Sequence, residues 1–175
     1  MKTLNEHLIQ YAAYHRDRRN ILTHFFGIPL IVIAVAALLG RPQWALGPLV
    51  LTPAHAAVLA TLVYYFRLDR GFGWAMLAFM GLALWAGVAV AAMPTPLWLV
   101  VAAGLFLMGW MLQFLGHLFE GRKPAFVDDL IGLLIGPLFI VAEWAFMLGW
   151  RREVATQIEA AAGPVRQGRR LKLPA

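Results

Sequence analysis

The chain has 175 residues, of which 61% are hydrophobic and 14% charged, with a formal net charge of +6 and no cysteine. A soluble domain is usually about 45–50% apolar and about 25% charged, so composition points to an integral membrane protein. The missing cysteines exclude disulfides and thiolate metal sites. In a membrane protein the excess of Lys and Arg reads as cytoplasmic-loop charge, and no nucleic-acid partner is expected.

In chain order, residues 2–18 read as an amphipathic helix lying at the membrane interface, with Leu4, Leu8 and Tyr11, and Tyr14 or His15, on its inner side. This N-terminus is polar and lacks the basic tip and apolar core of a cleavable signal peptide. His7 reads as a solvated interface residue. A first span is expected from Asn20 to Gly40, ended by the Gly and Pro of "GRPQW". The second opens where Thr52 can cap and Pro53 suits the first helical position, and runs to "YYFRLDR". The third covers Phe72 to Ala92, the turn is "MPTP", and the fourth runs from Leu97 to Glu120. No Asp, Glu, Lys or Arg occurs from Pro42 to Phe66 or from Gly71 to Phe119, lengths that suit one span and two spans of roughly 20 residues each.

The last apolar stretch, Val127 to Trp150, contains "IGP" at Ile135–Pro137 and Glu143. Two half-length pieces around that Gly-Pro break would form a re-entrant hairpin, the reading preferred here over a fifth span. The expected fold is therefore all-α: a polytopic membrane helix bundle of four spans plus a re-entrant hairpin or fifth span. Residues 1–152 read as one domain and 153–175 as a basic, mobile tail. Arg67–Arg70 and Glu120–Lys123 then fall on the same side as the N-terminus, whereas the opposite loops carry Arg41 alone. That asymmetry makes the charged side cytoplasmic, with both termini on it.

Ionisable groups in membrane segments are costly and are functional candidates. Here the topology gathers His15, Asn20 and His24 with Tyr64, Tyr65 and Asp69, with Gln113, His117 and Glu120, and with Asp128, Asp129 and Glu143, at one end of the bundle. Gln113, His117 and Glu120 share a helix face through spacings of four and three, and Asn20 and His24 share one for the same reason. His15 and His24 are nine residues apart, on opposite faces of a straight helix and roughly 13 Å apart along it. If both are ligands the chain bends between them, near Arg18–Asn20. His55 reads as a helix-end or packing histidine, and Asp69 as a loop charge beside Arg67 and Arg70. Three histidines with nearby carboxylates suit Fe(II) or Zn(II); the competing reading is a structural polar network.

The ordered set His15-x4-Asn20-x3-His24-x2-Gly27-x-Pro29, "YYFRLD", "QFLGHLFEGRKPA", Pro137 and Glu143 resembles a family of membrane Fe(II)-dependent 2-hydroxy fatty acid dioxygenases of fatty-acid α-oxidation. The likeness covers roughly residues 10–145. It implies His15, His24 and His117 as iron ligands, with Asn20, Glu120 and Glu143 as polar and catalytic support. Gln113, Arg19 and Tyr65 fall on the substrate side, and Arg67 or Lys123 are further cations to guide a carboxylate. The implied reaction takes a 2-hydroxy fatty acid, chelated through its hydroxyl and carboxylate, and O2 to the acid one carbon shorter. Membrane lipids are implied neighbours, and a homo-oligomer is compatible with the sequence. The implied location is an inner (plasma) membrane in a bacterium or the endoplasmic reticulum in a eukaryote. Two alternatives remain open: a zinc-dependent lipid hydrolase using Glu120 as general base, and a non-enzymatic lipid-binding protein.

Overall fold

A computed structural model of the chain describes residues 2–47 and 49–167. The remainder of the expected basic tail, 168–175, lies outside the described residues. Seven α-helices account for most of the fold: α1 (Leu4–Ala12), α2 (Arg18–Leu39), α3 (Pro53–Leu68), α4 (Arg70–Ala91), α5 (Thr95–Glu120), α6 (Gly132–Met147) and α7 (Arg152–Ala162). Two compact units are distinguishable, one comprising Met1–Phe26 with Leu112–Ala175 and the other Gly27–Met111.

In the first unit, α1 opens with a capping box in which the Thr3 hydroxyl accepts from the Glu6 N–H and the Glu6 carboxylate accepts from the Thr3 N–H. Leu4, His7, Leu8 and Tyr11, spaced at three and four, form its buried stripe against α6 and α7. His7 is thus buried, not solvated as expected, because it occupies the helix face that packs. Helix α6 is buried nearly all round, with Ile135, Leu138, Phe139 and Ile140 at its centre. The break expected at "IGP" is not there. Pro137 lies inside α6, whose first turn already makes tight bonds such as Leu134 N–H to the Ile131 carbonyl. So near the helix start, proline removes one bond (to residue 133), and burial holds the rest. The sharp bend falls instead between α6 and α7, which meet at 116°. Gly149 (φ +79°) and Arg151 (φ +56°) make the turn there in left-handed conformations. Much of the stretch expected as tail is therefore helix α7, held by buried Val154 and Ile158.

In the second unit, α3 and α4 pack together and are joined at Asp69, whose carboxylate accepts from the Phe72 N–H at 2.8 Å and so caps α4. Asp69 is a cap as well as a loop charge. Thr52 and Pro53 start α3 at the expected positions, but the Thr52 side chain makes no capping bond to the backbone; its hydroxyl lies 2.8 Å from His55 Nδ1 instead, which makes His55 a helix-end histidine. Residues expected as plain loop form a short exposed hairpin, β1 (Trp44–Leu46) antiparallel to β2 (Leu49–Leu51), turned by Gly47 at φ +61°. Arg41 donates to the carbonyls of Ala91 (2.6 Å) and Met93 (2.8 Å) and stacks on Trp98. A cation is thereby fixed at the C-terminus of α4, where the helix dipole favours it.

Among the described residues three helices, α2, α4 and α5, are long and apolar enough to cross a membrane, or four if the bent pair α6–α7 counts as one span. Helix α3, expected as a span, has 16 residues, short of the roughly 20 that cross a hydrocarbon core. Large apolar side chains such as Leu82, Trp85, Val100 and Leu107 face outward from α4 and α5, as suits a protein whose solvent is lipid. The contacts within the second unit depend on small residues. A Cβ on Gly87 would meet Ala36 and the Ala37 N–H, and one on Gly109 would meet Gly27 O at 2.8 Å. Gly87→Val is expected to destabilise the protein by about 1–3 kcal/mol, the usual cost of overpacking. A melting curve in detergent, with Gly81→Val at an open position as control, checks this.

Candidate metal centre

The site is built on the turn between α1 and α2. Residues 13–17 leave α1, and Asp17 caps α2 by accepting from the Arg19 N–H at 2.9 Å. The bend required between His15 and His24 is therefore present, but it precedes Arg18 instead of falling at Arg18–Asn20. It brings His15 Nε2 to 3.1 Å from His24 Nε2. His117 completes a group in which one ligand atom from each ring lies within 4.8 Å of the others, and all three residues are buried.

The tautomers follow from the hydrogen bonds. His15 Nδ1 lies 2.7 Å from the Tyr11 carbonyl and His24 Nδ1 lies 2.9 Å from the Asn20 carbonyl. A carbonyl only accepts, so each Nδ1 carries the proton and each Nε2 presents a lone pair. Two lone pairs 3.1 Å apart repel unless a proton or a metal ion lies between them. A proton there is disfavoured for His15. Burial first, and then the neighbouring imidazoles and Arg16, hold its pKa well below the ordinary value. Nitrogens bonded at about 2.0–2.1 Å to one ion sit roughly 3 Å apart, so the residues fit a first-row metal. Its holders would be Nε2 of His15, Nε2 of His24 and a ring nitrogen of His117.

The surroundings fix these rings. Tyr11 stacks on His15 (centroids 4.2 Å, planes 4° apart), and Phe139 lies 5.5 Å away on an apolar wall. Glu120 is nearly inaccessible. Its Oε2 accepts from the N–H groups of Arg16 (2.9 Å) and Asp17 (2.7 Å) and from Asn20 Nδ2 (3.2 Å), while Oε1 pairs with Arg166. Asn20 Nδ2 also donates to the Tyr14 carbonyl at 3.1 Å. Gly116 lets α5 approach here, since a Cβ on it would strike Thr23 Oγ1 and Asn20 Oδ1.

Of the residues expected at the site, His15, His24, His117, Asn20 and Glu120 come together. Glu143 lies 3.7 Å from the Arg16 guanidinium, with which it pairs. Gln113 is buried one turn before His117, and its Nε2 has no hydrogen-bond partner among the described residues. Arg19 is paired with Asp17 at 2.9 Å and lies over the Phe119 ring. Lys123 and Tyr14 both bond Asp128. Tyr65 and Arg67 belong to the second unit, where Tyr65 is buried beside Tyr64. Sequence reasoning missed Tyr11 as the ring against His15, and Arg16, Asp17 and Arg166 altogether. Nothing in "HRDRR" distinguishes buried Arg16, which is 5% exposed, from its neighbours.

The fold and site define a helical membrane protein with a buried three-histidine centre. A family model described as Mpo1-like, 2-hydroxy-palmitic acid dioxygenase Mpo1-like, matches residues 1–148. The chain is also 31% identical over 153 residues to the 2-hydroxy-palmitic acid dioxygenase MPO1 of Saccharomyces cerevisiae (strain ATCC 204508 / S288c), covering 85% of this chain and 83% of that protein. No solved structure matches. The chain belongs to the Mpo1-like family.

Acidification should destabilise the metal-free protein. The folded-state pKa of His15 is lowered, so below the unfolded value of about 6.5 the unfolded chain binds the proton that the folded chain excludes. Stability then rises with pH up to about 6.5 and levels off above it. Denaturant midpoints at pH 5 and pH 7.5 check the sign; a higher midpoint at pH 5 would contradict it.

Proposed function

We propose that the protein is an Fe(II)-dependent dioxygenase that converts a 2-hydroxy fatty acid into the fatty acid one carbon shorter. The observation that carries this reading is the pair of unprotonated Nε2 atoms of His15 and His24, 3.1 Å apart, with His117 as the third buried ring. The name of the yeast relative, a 2-hydroxy-palmitic acid dioxygenase, supports the substrate class. The reaction balances with O2 alone: a 2-hydroxy acid and O2 yield the shortened acid, CO2 and water, breaking the bond between the first two carbons. Bound Fe(II) would supply the redox chemistry and a chelation point for the substrate's hydroxyl and carboxylate.

The chain's own residues supply geometry. His15, His24 and His117 hold the ion as neutral donors and leave its charge to attract a carboxylate. Asn20 and Glu120 fix the turn and the His24 tautomer, the kind of support that orients ligands. Tyr11 and Phe139 keep water from the His15 side. Glu143 acts through Arg16. Gln113, whose amide nitrogen has no hydrogen-bond partner among the described residues, is the donor we assign to the substrate's polar head, and Arg19 completes the substrate side. The apolar spans offer surface for the acyl chain. The concentration of charge at Arg16–Arg19 and Glu120–Lys123 supports a centre at the cytoplasmic boundary of its membrane.

Zinc would suit the same imidazoles, but a hydrolase needs a general base. Glu120, the base that the hydrolase reading names, is occupied by four donors, which favours the oxidative reading. Purified protein given Fe(II) and 2-hydroxypalmitate is expected to form the C15 acid only when O2 is present, and His117→Ala is expected to lose both iron and activity. Bound zinc without O2 consumption would turn the reading to hydrolysis. Gln113→Leu is expected to raise KM about tenfold or more, as when a buried polar contact to substrate is removed, with iron content unchanged.

A further inference from the structure

The family match ends at residue 148, yet the chain beyond it returns to the metal-binding turn. After α7, the Arg166 N–H donates to the Arg16 carbonyl at 2.7 Å, and the Arg18 N–H donates to the Arg166 carbonyl at 3.0 Å. These two bonds form a parallel bridge between Asp17 and Arg166. One Arg16 guanidinium nitrogen donates to the Gly163 carbonyl at 3.1 Å, and Arg18 Nη1 lies 3.5 Å from Gln167 Oε1. The Arg166 guanidinium pairs with Glu120 Oε1.

Glu120 is the group that holds the N–H donors of Arg16 and Asp17, and its side chain is 1% exposed. A carboxylate so buried is costly without a countercharge. Arg16, also buried, is spoken for by Glu143, the Ala12 and His15 carbonyls and Gly163. Arg166, 58% exposed itself, reaches in from outside and supplies the positive partner. We propose that Gly163–Gln167 is a strap that positions the turn carrying His15, and that Arg166 is its positioning residue, acting on the metal centre through Glu120 and never touching the metal. The inference rests on the metal reading above for its functional consequence.

The test uses full-length protein in detergent, as wild type, Arg166→Ala and Arg166→Lys. Co(II) and Fe(II) affinities are measured by equilibrium dialysis, and amide hydrogen exchange is followed over residues 13–20 in metal-free protein. Arg166→Ala is expected to weaken metal binding about 10–100-fold, the usual effect of losing a residue that supports a ligand. Exchange should quicken at Arg16–Arg18 while α4 stays unchanged, and Arg166→Lys, which keeps the charge, should recover part of both. Unaltered affinity and exchange in Arg166→Ala would overturn the proposal. So would exchange that quickens uniformly with a collapsed melting transition, since that marks general stability. A wild type that binds no metal would sink the metal reading alone, and the exchange at Arg16–Arg18 would still decide the strap.

Discussion

One buried carboxylate holds the site in place. Glu120 stands at the end of α5, three residues after His117, and gathers the N–H groups of Arg16 and Asp17 and the amide of Asn20. Those donors lie just ahead of α2 and in its first turn, where main-chain N–H groups have no partner within the helix. Satisfying them from a different helix fixes the turn that carries His15 relative to the helix that carries His117. The same contact reaches Asn20, whose carbonyl orients His24. Three imidazoles from three places in the chain are thus set by one acidic side chain and the cation that neutralises it.

Burial then sets the chemistry of the rings. Buried His15 resists protonation, and hydrogen bonds through Nδ1 leave the Nε2 atoms of His15 and His24 facing each other as acceptors. Such a pair is unfavourable by itself and favourable around a cation. A network that served only stability would be expected to turn one ring so that a donor met an acceptor. Asn20 Oδ1, Gln113 Nε2 and His117 Nδ1 are also buried without hydrogen-bond partners among the described residues, and buried polar groups are seldom left so unless something else completes them.

Much of this was legible in sequence because it follows short-range geometry. The spacing Gln113, His117, Glu120 put three polar groups on one face, and in the structure all three are buried while Phe114 and Leu118 are exposed. The nine-residue gap between His15 and His24 demanded a bend. Its position escaped because Asp17, to which the sequence reading gave no role, is the cap that starts α2. The Gly-Pro pair at Gly136–Pro137 looked like a break, but its position near the start of a buried helix made it tolerable. His7 looked solvated and Arg16 drew no reading, because what buries them lies more than a hundred residues away, and no local pattern reports such a contact. Arg166 is the extreme case: a residue in a basic stretch that reads as mobile tail, yet it closes the Glu120 network from the far end of the chain.

The most direct test of the account is X-ray absorption spectroscopy of the iron-loaded protein. Scattering from about three imidazoles, with nitrogen at roughly 2.0–2.2 Å, and loss of one imidazole's contribution in His24→Ala, is the result expected. Iron bound without imidazole scattering, or a spectrum indifferent to His24, would contradict the claim that these three histidines are the metal centre.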